Sequence, residues 1–259
     1  MDTTGPRDAA TPRRSRLLLA TLAATLLAGA TIRATTLAIV RTPTQVVIAA
    51  DSLLVWYGGN LRPQLTCKLD AHGDVIFGMA GLVVSPENDF DAHALIGTVL
   101  DTPGGLEERA TVLERLLQGR LLGTLTRIQI ELPRLFAEQL AGGFVLNVTL
   151  GAVRDDVAYL EMRDFYAETA PDGSLRLRIA RVSCPRDCPR PTEVFGVGET
   201  TAMMRHLGSL PELPTALPGL AEALVEIEID DRPALVGPPV DVVRAAPAGV
   251  EWIRRKPSC

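Results

Sequence analysis

Two short runs of apolar and β-branched residues, 36–41 and 46–50, stand close together in the first fifth of the chain. The tetrapeptide Thr-Pro-Thr-Gln at 42–45 separates them, and its composition is typical of a turn. Runs of this length and spacing predict a β-hairpin. Because apolar residues occupy consecutive positions, both faces of its strands are expected to be buried. The hairpin therefore predicts antiparallel β structure at the start of the fold, with layers on both sides of it.

Hydrophobic periodicity predicts the remaining elements. A second hairpin is predicted at 66–69 and 75–79, and helical spacing follows at 89–100 and 106–140, with Pro133 interrupting the second helix. Four strands are then predicted at 144–153, 157–162, 175–182 and 192–197. Two helices follow at 200–207 and 217–229, and two closing strands at 240–244 and 250–254. Helices segregated from antiparallel strands indicate an α+β layered fold.

The amino end has the order of a secretory signal peptide. Arginines at 7, 13, 14 and 16 precede the apolar run 17–28, which is too short to cross a bilayer, and small residues follow. The pair Arg13-Arg14 also fits a twin-arginine signal, so Sec and Tat both remain open. Cleavage after Ala30 or after Ala34 fits the small-residue rule, the first leaving a short propeptide at 31–34. We expect residues 1–34 to be removed, the protein to be exported, and 35–259 to form one domain without a membrane segment.

Charge and cysteine content limit the function. The chain has 26 basic and 31 acidic residues, a net charge of −5, and lacks a basic block, which disfavours nucleic-acid binding. Three scattered histidines give no metal-ligand pattern, so neither a metal nor a cofactor is expected. All four cysteines follow the signal segment, and Cys184 and Cys188 are close enough in sequence to form a small disulfide in an oxidising compartment.

Thr35 has a distinctive chemistry if cleavage exposes it. A threonine at the amino terminus carries a hydroxyl and a free α-amine, and the amine, with an ordinary pKa near about 8, can act as the base for its own hydroxyl. Such a site needs a cation to tune the amine, a carboxylate to hold the cation and N–H groups for the oxyanion. Lys68 stands out here, because 24 of the 26 basic residues are arginines, whose pKa is too high for proton exchange.

Three stretches of this sequence resemble a known family. Residues 35–51 (Thr-Thr-Leu-Ala-Ile-Val-Arg, then Val-Val-Ile-Ala-Ala-Asp), 66–69 (Thr-Cys-Lys-Leu) and 77–81 (Phe-Gly-Met-Ala-Gly) are similar to the β-type subunits of the proteasome and the bacterial HslV protease, which are N-terminal nucleophile (Ntn) hydrolases. Weaker similarity continues at 195–198 and 237–241. The resemblance implies a four-layer αββα sandwich of antiparallel sheets.

The resemblance also implies roles for individual residues. Thr35 would be the nucleophile, Asp51 the carboxylate that orients the lysine, Lys68 the tuning cation and Gly81 the oxyanion N–H donor. From the residues alone, Asp51 could instead cap a turn, Gly81 could be a turn glycine, and Thr35 would be an ordinary strand residue if cleavage stopped after Ala30.

The family pattern is incomplete near the amine. Glu199 stands where the family has a serine, Leu82 replaces a second glycine, and the later Asp-x-x-Ser-Gly-Gly is absent, with Asp231 early and Val236 followed by Gly-Pro. Glu199 and Asp231 are the carboxylates that remain as candidates to support the amine.

Two functions follow from these patterns. The first is an exported threonine hydrolase that cleaves peptide or other amide bonds. The second is an inactive protein of the same fold that serves as a binding or assembly module. A homo-oligomer is expected by analogy alone. The aromatic cluster at 55–59, Val-Trp-Tyr-Gly-Gly, fits either a substrate pocket or a sheet edge.

Overall fold

The computed structural model describes residues 35–54, 64–214 and 216–259. The predicted signal segment 1–34 and the aromatic cluster 55–59 lie outside the described residues. The strands are β1 (Thr36–Thr42), β2 (Gln45–Ala50), β3 (Leu53–Leu54), β4 (Gln64–Leu65), β5 (Leu69–His72), β6 (Val75–Gly81), β7 (Val84–Ser85), β8 (Phe90–Asp91), β9 (Phe144–Arg154), β10 (Val157–Thr169), β11 (Leu175–Cys184), β12 (Glu193–Gly198), β13 (Asp241–Ala246) and β14 (Gly249–Arg254). The α-helices are α1 (Ala92–Leu100), α2 (Leu106–Glu131), α3 (Pro133–Leu135), α4 (Thr201–Ser209) and α5 (Leu217–Asp231).

Two five-stranded antiparallel sheets form the centre of the fold. The first has the strand order β12-β1-β2-β13-β14, and the second has the order β11-β10-β9-β6-β5. In the first sheet, Leu37 pairs with Ala50 of β2, while Thr36 pairs with Gly198 of β12. Strand β1 therefore has a hydrogen-bonded neighbour on each side.

Side chains alternate between the two faces of β1 and β2. Leu37 and Ile39 point into a core shared with the second sheet, whereas Ala38 and Val40 point into a core shared with α5. Every residue of 36–40 and 46–50 has 0% of its surface exposed, so the predicted burial of both hairpin faces is confirmed. Alternation on a pleated strand lets one hairpin serve two cores.

A third core lies on the outer face of the second sheet. There α1 and α2 bury residues such as Ile96, Leu113 and Leu121 against Phe77 and Val148 of the sheet. Helices α4 and α5 cover the outer face of the first sheet. The order of layers is helix, sheet, sheet, helix, which confirms the predicted α+β, four-layer αββα architecture.

Several predicted elements differ from the structure in their bounds. Strand β10, predicted at 157–162, continues to Thr169, and α1 begins at Ala92 rather than at residue 89. Strand β5 begins at Leu69 rather than at residue 66, and the segment before it contains Lys68, which pairs with Asp51. The helix predicted at 106–140 ends at Glu131, and α3 with a π-helical turn at Phe136–Leu140 follows it. Pro133 has no N–H to continue the helix, so the break falls where proline dictates. None of the helices in the described part of the chain is long and apolar enough to cross a bilayer.

Candidate active site

Asp51 is the centre of a buried polar cluster at the carboxyl end of β2. Its side chain is fully buried, and both of its oxygens accept hydrogen bonds. Oδ1 accepts from the backbone N–H of Thr36 at 2.9 Å and from Lys68 Nζ at 2.6 Å. Oδ2 accepts from the backbone N–H of Leu53 at 3.0 Å and of Gly237 at 3.2 Å. Four donors around one carboxylate satisfy a buried negative charge, which would otherwise be costly.

Lys68 lies in the segment between β4 and β5 and is 5% exposed. Burial lowers the pKa of its ammonium group, the charge and hydrogen bond of Asp51 oppose that effect, and the charge of Lys256 adds to it. The carbonyl of Lys68 accepts the N–H of Met79 at 3.0 Å, which ties this segment to β6. The lysine is therefore rigidly placed, and desolvation moves its proton affinity toward the range useful for proton exchange.

Thr35 immediately precedes β1 and is 7% exposed. Its carbonyl accepts the N–H of Glu199 at 2.8 Å. A Cβ on Gly198 would lie 1.9 Å from the carbonyl oxygen of Thr35, and Gly198 has φ +84°, so only glycine allows this approach. The next residue, Thr36, donates its hydroxyl to the carbonyl of Glu199 at 2.7 Å. Because Asp51 accepts the N–H of Thr36, the Asp51–Lys68 pair is attached to the residue next to Thr35.

Gly81 ends β6 with φ +95°, and a Cβ there would lie 2.1 Å from the carbonyl oxygen of Val145. The N–H of Leu82 donates to that same carbonyl at 2.8 Å. The structure therefore gives Gly81 a steric reason to be glycine that is independent of oxyanion binding. Earlier in the same strand, a Cβ on Gly78 would lie 2.9 Å from Cδ2 of Leu69 and 3.5 Å from Cδ1 of Leu37. The strand β6 therefore packs tightly against Leu69 and makes ordinary contact with the start of β1.

The two candidate amine-supporting carboxylates take different places. Glu199 contacts Thr35 and Thr36 through its backbone, while its carboxylate accepts the Thr201 hydroxyl at 3.3 Å. Asp231 lies at the end of α5, where it forms an ion pair with Arg232 at 3.2 Å. The backbone of Glu199 is thus joined to both threonines.

A second layer of polar residues beneath Asp51 was not predicted from the sequence. Ser52 is fully buried, its N–H donates to the carbonyl of Gly237 at 2.9 Å, and its hydroxyl donates to the carbonyl of Pro239. Lys256 donates to Ser52 Oγ at 2.8 Å and forms an ion pair with Asp241. The sequence carried one usable signal, because Lys256 is the second of only two lysines in the chain.

The structure joins all four cysteines in pairs. One disulfide links Cys184 to Cys188, the pair considered from the sequence, and the other links Cys67 to Cys259 across 192 positions. The second disulfide attaches the end of the chain to the residue before Lys68. Among the described residues, no group of three or more His, Cys, Asp or Glu side chains is arranged to hold a metal ion.

A cavity of about 420 Å³ opens beside Gly81. Its walls are mainly apolar and come from the segment after β6 and from the end of α2, with Leu54, Val83 and Leu132 among them. Glu87 and Asn88 contribute polar groups. A cavity of this size and lining can hold a small apolar group next to the end of β6.

Comparison with solved structures supports the fold. The structure of the Anbu (Gly-1) mutant from Hyphomicrobium sp. strain MC1 is similar to this chain, with a TM-score of 0.55, 18% sequence identity and 86% of each chain covered. Anbu has a proteasome-like Ntn fold, and this chain shares that fold. No family model and no curated protein matches the sequence.

The comparisons correct the family assignment. The sequence resemblance pointed to the proteasome β-subunit and HslV family, but no family model matches, and a solved structure similar to this chain is that of an Anbu protein. At 18% identity this likeness establishes the fold alone. The assignment failed because short motifs around residues 35–51 and 66–81 carry the geometry of the fold, which more than one family shares.

Proposed function

We propose that this protein is an N-terminal threonine hydrolase that cleaves peptide or other amide bonds after processing between Ala34 and Thr35. The observation that carries the proposal is the buried Asp51–Lys68 ion pair, 2.6 Å long and hydrogen-bonded to the N–H of Thr36. Buried ion pairs are weak evidence for stability alone, because desolvation offsets their attraction. A lysine with a lowered pKa whose partner Asp51 also accepts the N–H of Thr36, the residue after Thr35, fits a catalytic use.

The chemistry follows from the groups present. The α-amine of Thr35, freed by cleavage, is the final acceptor of the hydroxyl proton, and Lys68 relays that proton from the hydroxyl to the amine while Oγ1 attacks the amide carbon. The tetrahedral intermediate collapses, the amine product leaves with the proton, and an ester to Thr35 remains. Water then attacks the ester, giving a carboxylic acid and the free hydroxyl. The backbone N–H of Gly81, at the end of β6, would stabilise the oxyanion.

The apolar cavity beside Gly81 supports a substrate with an apolar side chain next to the scissile bond. Its volume of about 420 Å³ accommodates an aliphatic or aromatic side chain. Glu87 and Asn88 at its wall favour a neutral or positively charged substrate over an acidic one.

Export of the protein is part of the proposal. Two disulfides, Cys67–Cys259 and Cys184–Cys188, suit an oxidising compartment. Together with the signal-like segment 1–34, they support a protein that matures outside the cytoplasm. Assembly into a homo-oligomer stays a prediction, to be checked by light scattering on the mature chain.

Thr35→Ala tests the proposal directly. Residues 35–259 are prepared with Thr35 as the free amino terminus, and hydrolysis of a set of fluorogenic peptide amides is measured. Thr35→Ala should lower kcat/KM by about 1,000-fold or more, because it removes the nucleophile. Thr98→Ala, which changes an exposed threonine of α1, is the matched control and should retain activity.

The outcome also separates the two functions. Full activity in Thr35→Ala would refute the site. A folded mature protein with no activity on any peptide or amide substrate would instead select the binding or assembly module, which the ion pair of Asp231 with Arg232 favours because it engages one of the two candidate amine-supporting carboxylates.

A further inference from the structure

The only two lysines of the chain meet at one place in the fold. Lys68 and Lys256 are each 5% exposed, although 188 positions separate them. Each lysine pairs with a buried aspartate, Lys68 with Asp51 and Lys256 with Asp241. Lysine is rarely buried without a specific partner, so two such pairs linked through Ser52 call for an explanation.

A short chain of hydrogen bonds connects the two pairs. Lys256 Nζ donates to Ser52 Oγ at 2.8 Å, and Ser52 directly follows Asp51. The backbone N–H of Lys256 donates to Asp241 Oδ1 at 2.7 Å, which fixes the main chain as well as the side chain. Asp241 in turn is the register partner of Ala50, the last residue of β2. Lys256 therefore lies directly beneath the turn that presents Asp51.

The end of the chain is held in this position covalently. After β14 the chain reaches Lys256 and turns, with the N–H of Cys259 donating to the carbonyl of Lys256 at 3.1 Å. Cys259 is bonded to Cys67, the neighbour of Lys68. The last four residues thus form a tail that is attached at one end to β14 and at the other to the lysine segment.

We propose that Lys256 is a positioning residue of the active site: the disulfide-anchored tail places a second buried positive charge beside the Asp51–Lys68 pair, and this charge favours the unprotonated form of Lys68. The catalytic consequence rests on the proposed hydrolase function, whereas the effect on Lys68 does not. Two like charges in a region of low dielectric disfavour each other's ionised forms.

The charged groups around Lys68 are consistent with this role. Asp51 attracts its proton, and Lys256 opposes it, with Asp241 compensating Lys256 from behind. Asp70, two residues further along the chain, faces outward and pairs with His93 and Arg255. The α-amine of Thr35 would add a further titrating group after cleavage.

Direct titration of the lysines tests the proposal without any need for activity. The chain is labelled with lysine carrying ¹³C at Cε, in a Thr35→Ala background, so that two lysines give two signals. In Lys256→Gln, the one remaining lysine signal is that of Lys68. The substitution removes the positive charge at position 256 and keeps an N–H that can donate to Ser52. The Lys68 midpoint should rise by roughly one pH unit. Lys256→Arg, the matched control, keeps the charge and should leave the midpoint unchanged.

An unchanged Lys68 midpoint in folded Lys256→Gln would overturn the proposal. If that variant does not fold, the double variant Cys67→Ser, Cys259→Ser replaces it. Because the disulfide no longer holds the tail, the Lys68 midpoint should rise in the same direction. A Lys68 midpoint equal to that of the parent chain would reject the role of Lys256. In chains with Thr35 intact, the pH profile of kcat/KM should shift with the midpoint. If the Lys68 midpoint shifts but the protein hydrolyses no amide, the hydrolase function is refuted and the role of Lys256 is retained. If the protein hydrolyses amides but the midpoint does not shift, the role of Lys256 is refuted and the hydrolase function is retained.

Discussion

Gly198→Ala should destabilise the protein far more than an ordinary glycine substitution, because the backbone of Thr35 occupies the space of the missing side chain. Gly198 ends β12, and its φ of +84° is in the region that favours glycine. A Cβ would lie 1.9 Å from the carbonyl oxygen of Thr35, while ordinary contacts begin at 3.4 Å. The added atom therefore needs a displacement of the Thr35 backbone that the neighbouring strand does not allow.

The magnitude has two parts. Placing alanine at positive φ costs about 1 kcal/mol. Displacing Thr35 also breaks the hydrogen bond from Glu199 N–H, 2.8 Å long, and leaving that buried carbonyl without a partner costs about 1–3 kcal/mol. The free energy of unfolding should fall by about 2–4 kcal/mol in total.

Gly173→Ala provides the matched control. Gly173 has φ +81°, close to that of Gly198, but a Cβ there meets nothing within 4 Å. Both substitutions also change the unfolded chain equally, so the difference between the two variants isolates the contact with Thr35. Equilibrium urea unfolding of both variants measures it. Equal losses of stability would refute the placement of Thr35 against β12.

Two further predictions concern buried ionisable groups. Lys68→Arg keeps the positive charge beside Asp51 but cannot exchange a proton, so kcat/KM should fall by about 100-fold or more while circular dichroism stays native; full activity would contradict a proton-exchange role. Burial raises the pKa of Glu228, so the folded protein binds a proton that the unfolded chain releases, and stability should fall as pH rises through the folded pKa. Glu228→Gln keeps an oxygen that accepts the N–H of Met203, 2.7 Å away. Urea unfolding of this variant across pH should therefore lack the loss of stability at rising pH. An equal loss in the variant would exclude Glu228 as its source.

Local patterns predicted most of the fold. The continuous apolar runs at residues 36–41 and 46–50 predicted β1 and β2 within a residue, because burial on both faces leaves a strong signal in a short run. Helix α5 was predicted from its first residue, where Pro218 suits the first turn. The two-residue strands β3 and β7 were missed, since pairs of that length have no periodicity to detect.

The site was harder to predict because its contacts are distant in sequence. Asp51 and Lys68 could be proposed from motifs 17 positions apart, whereas the Cys67–Cys259 bond spans 192 positions and no local rule specifies it. Ser52 shows the same limit, because the two partners of its hydroxyl, Pro239 and Lys256, come from the last quarter of the chain. Residue type alone marked Lys256 as unusual but could not indicate where it packs.

The inner position of β1 in its sheet, between β12 and β2, has a consequence for the start of the mature chain. Free termini usually fray, yet an amino group created at Thr35 would emerge on a strand hydrogen-bonded to β12 and to β2. Its rotational and translational freedom would already be lost on folding, before any substrate arrives. A nucleophile that is immobilised in advance reacts at a high effective concentration, so the sheet that stabilises the fold would also lower the entropic barrier to attack.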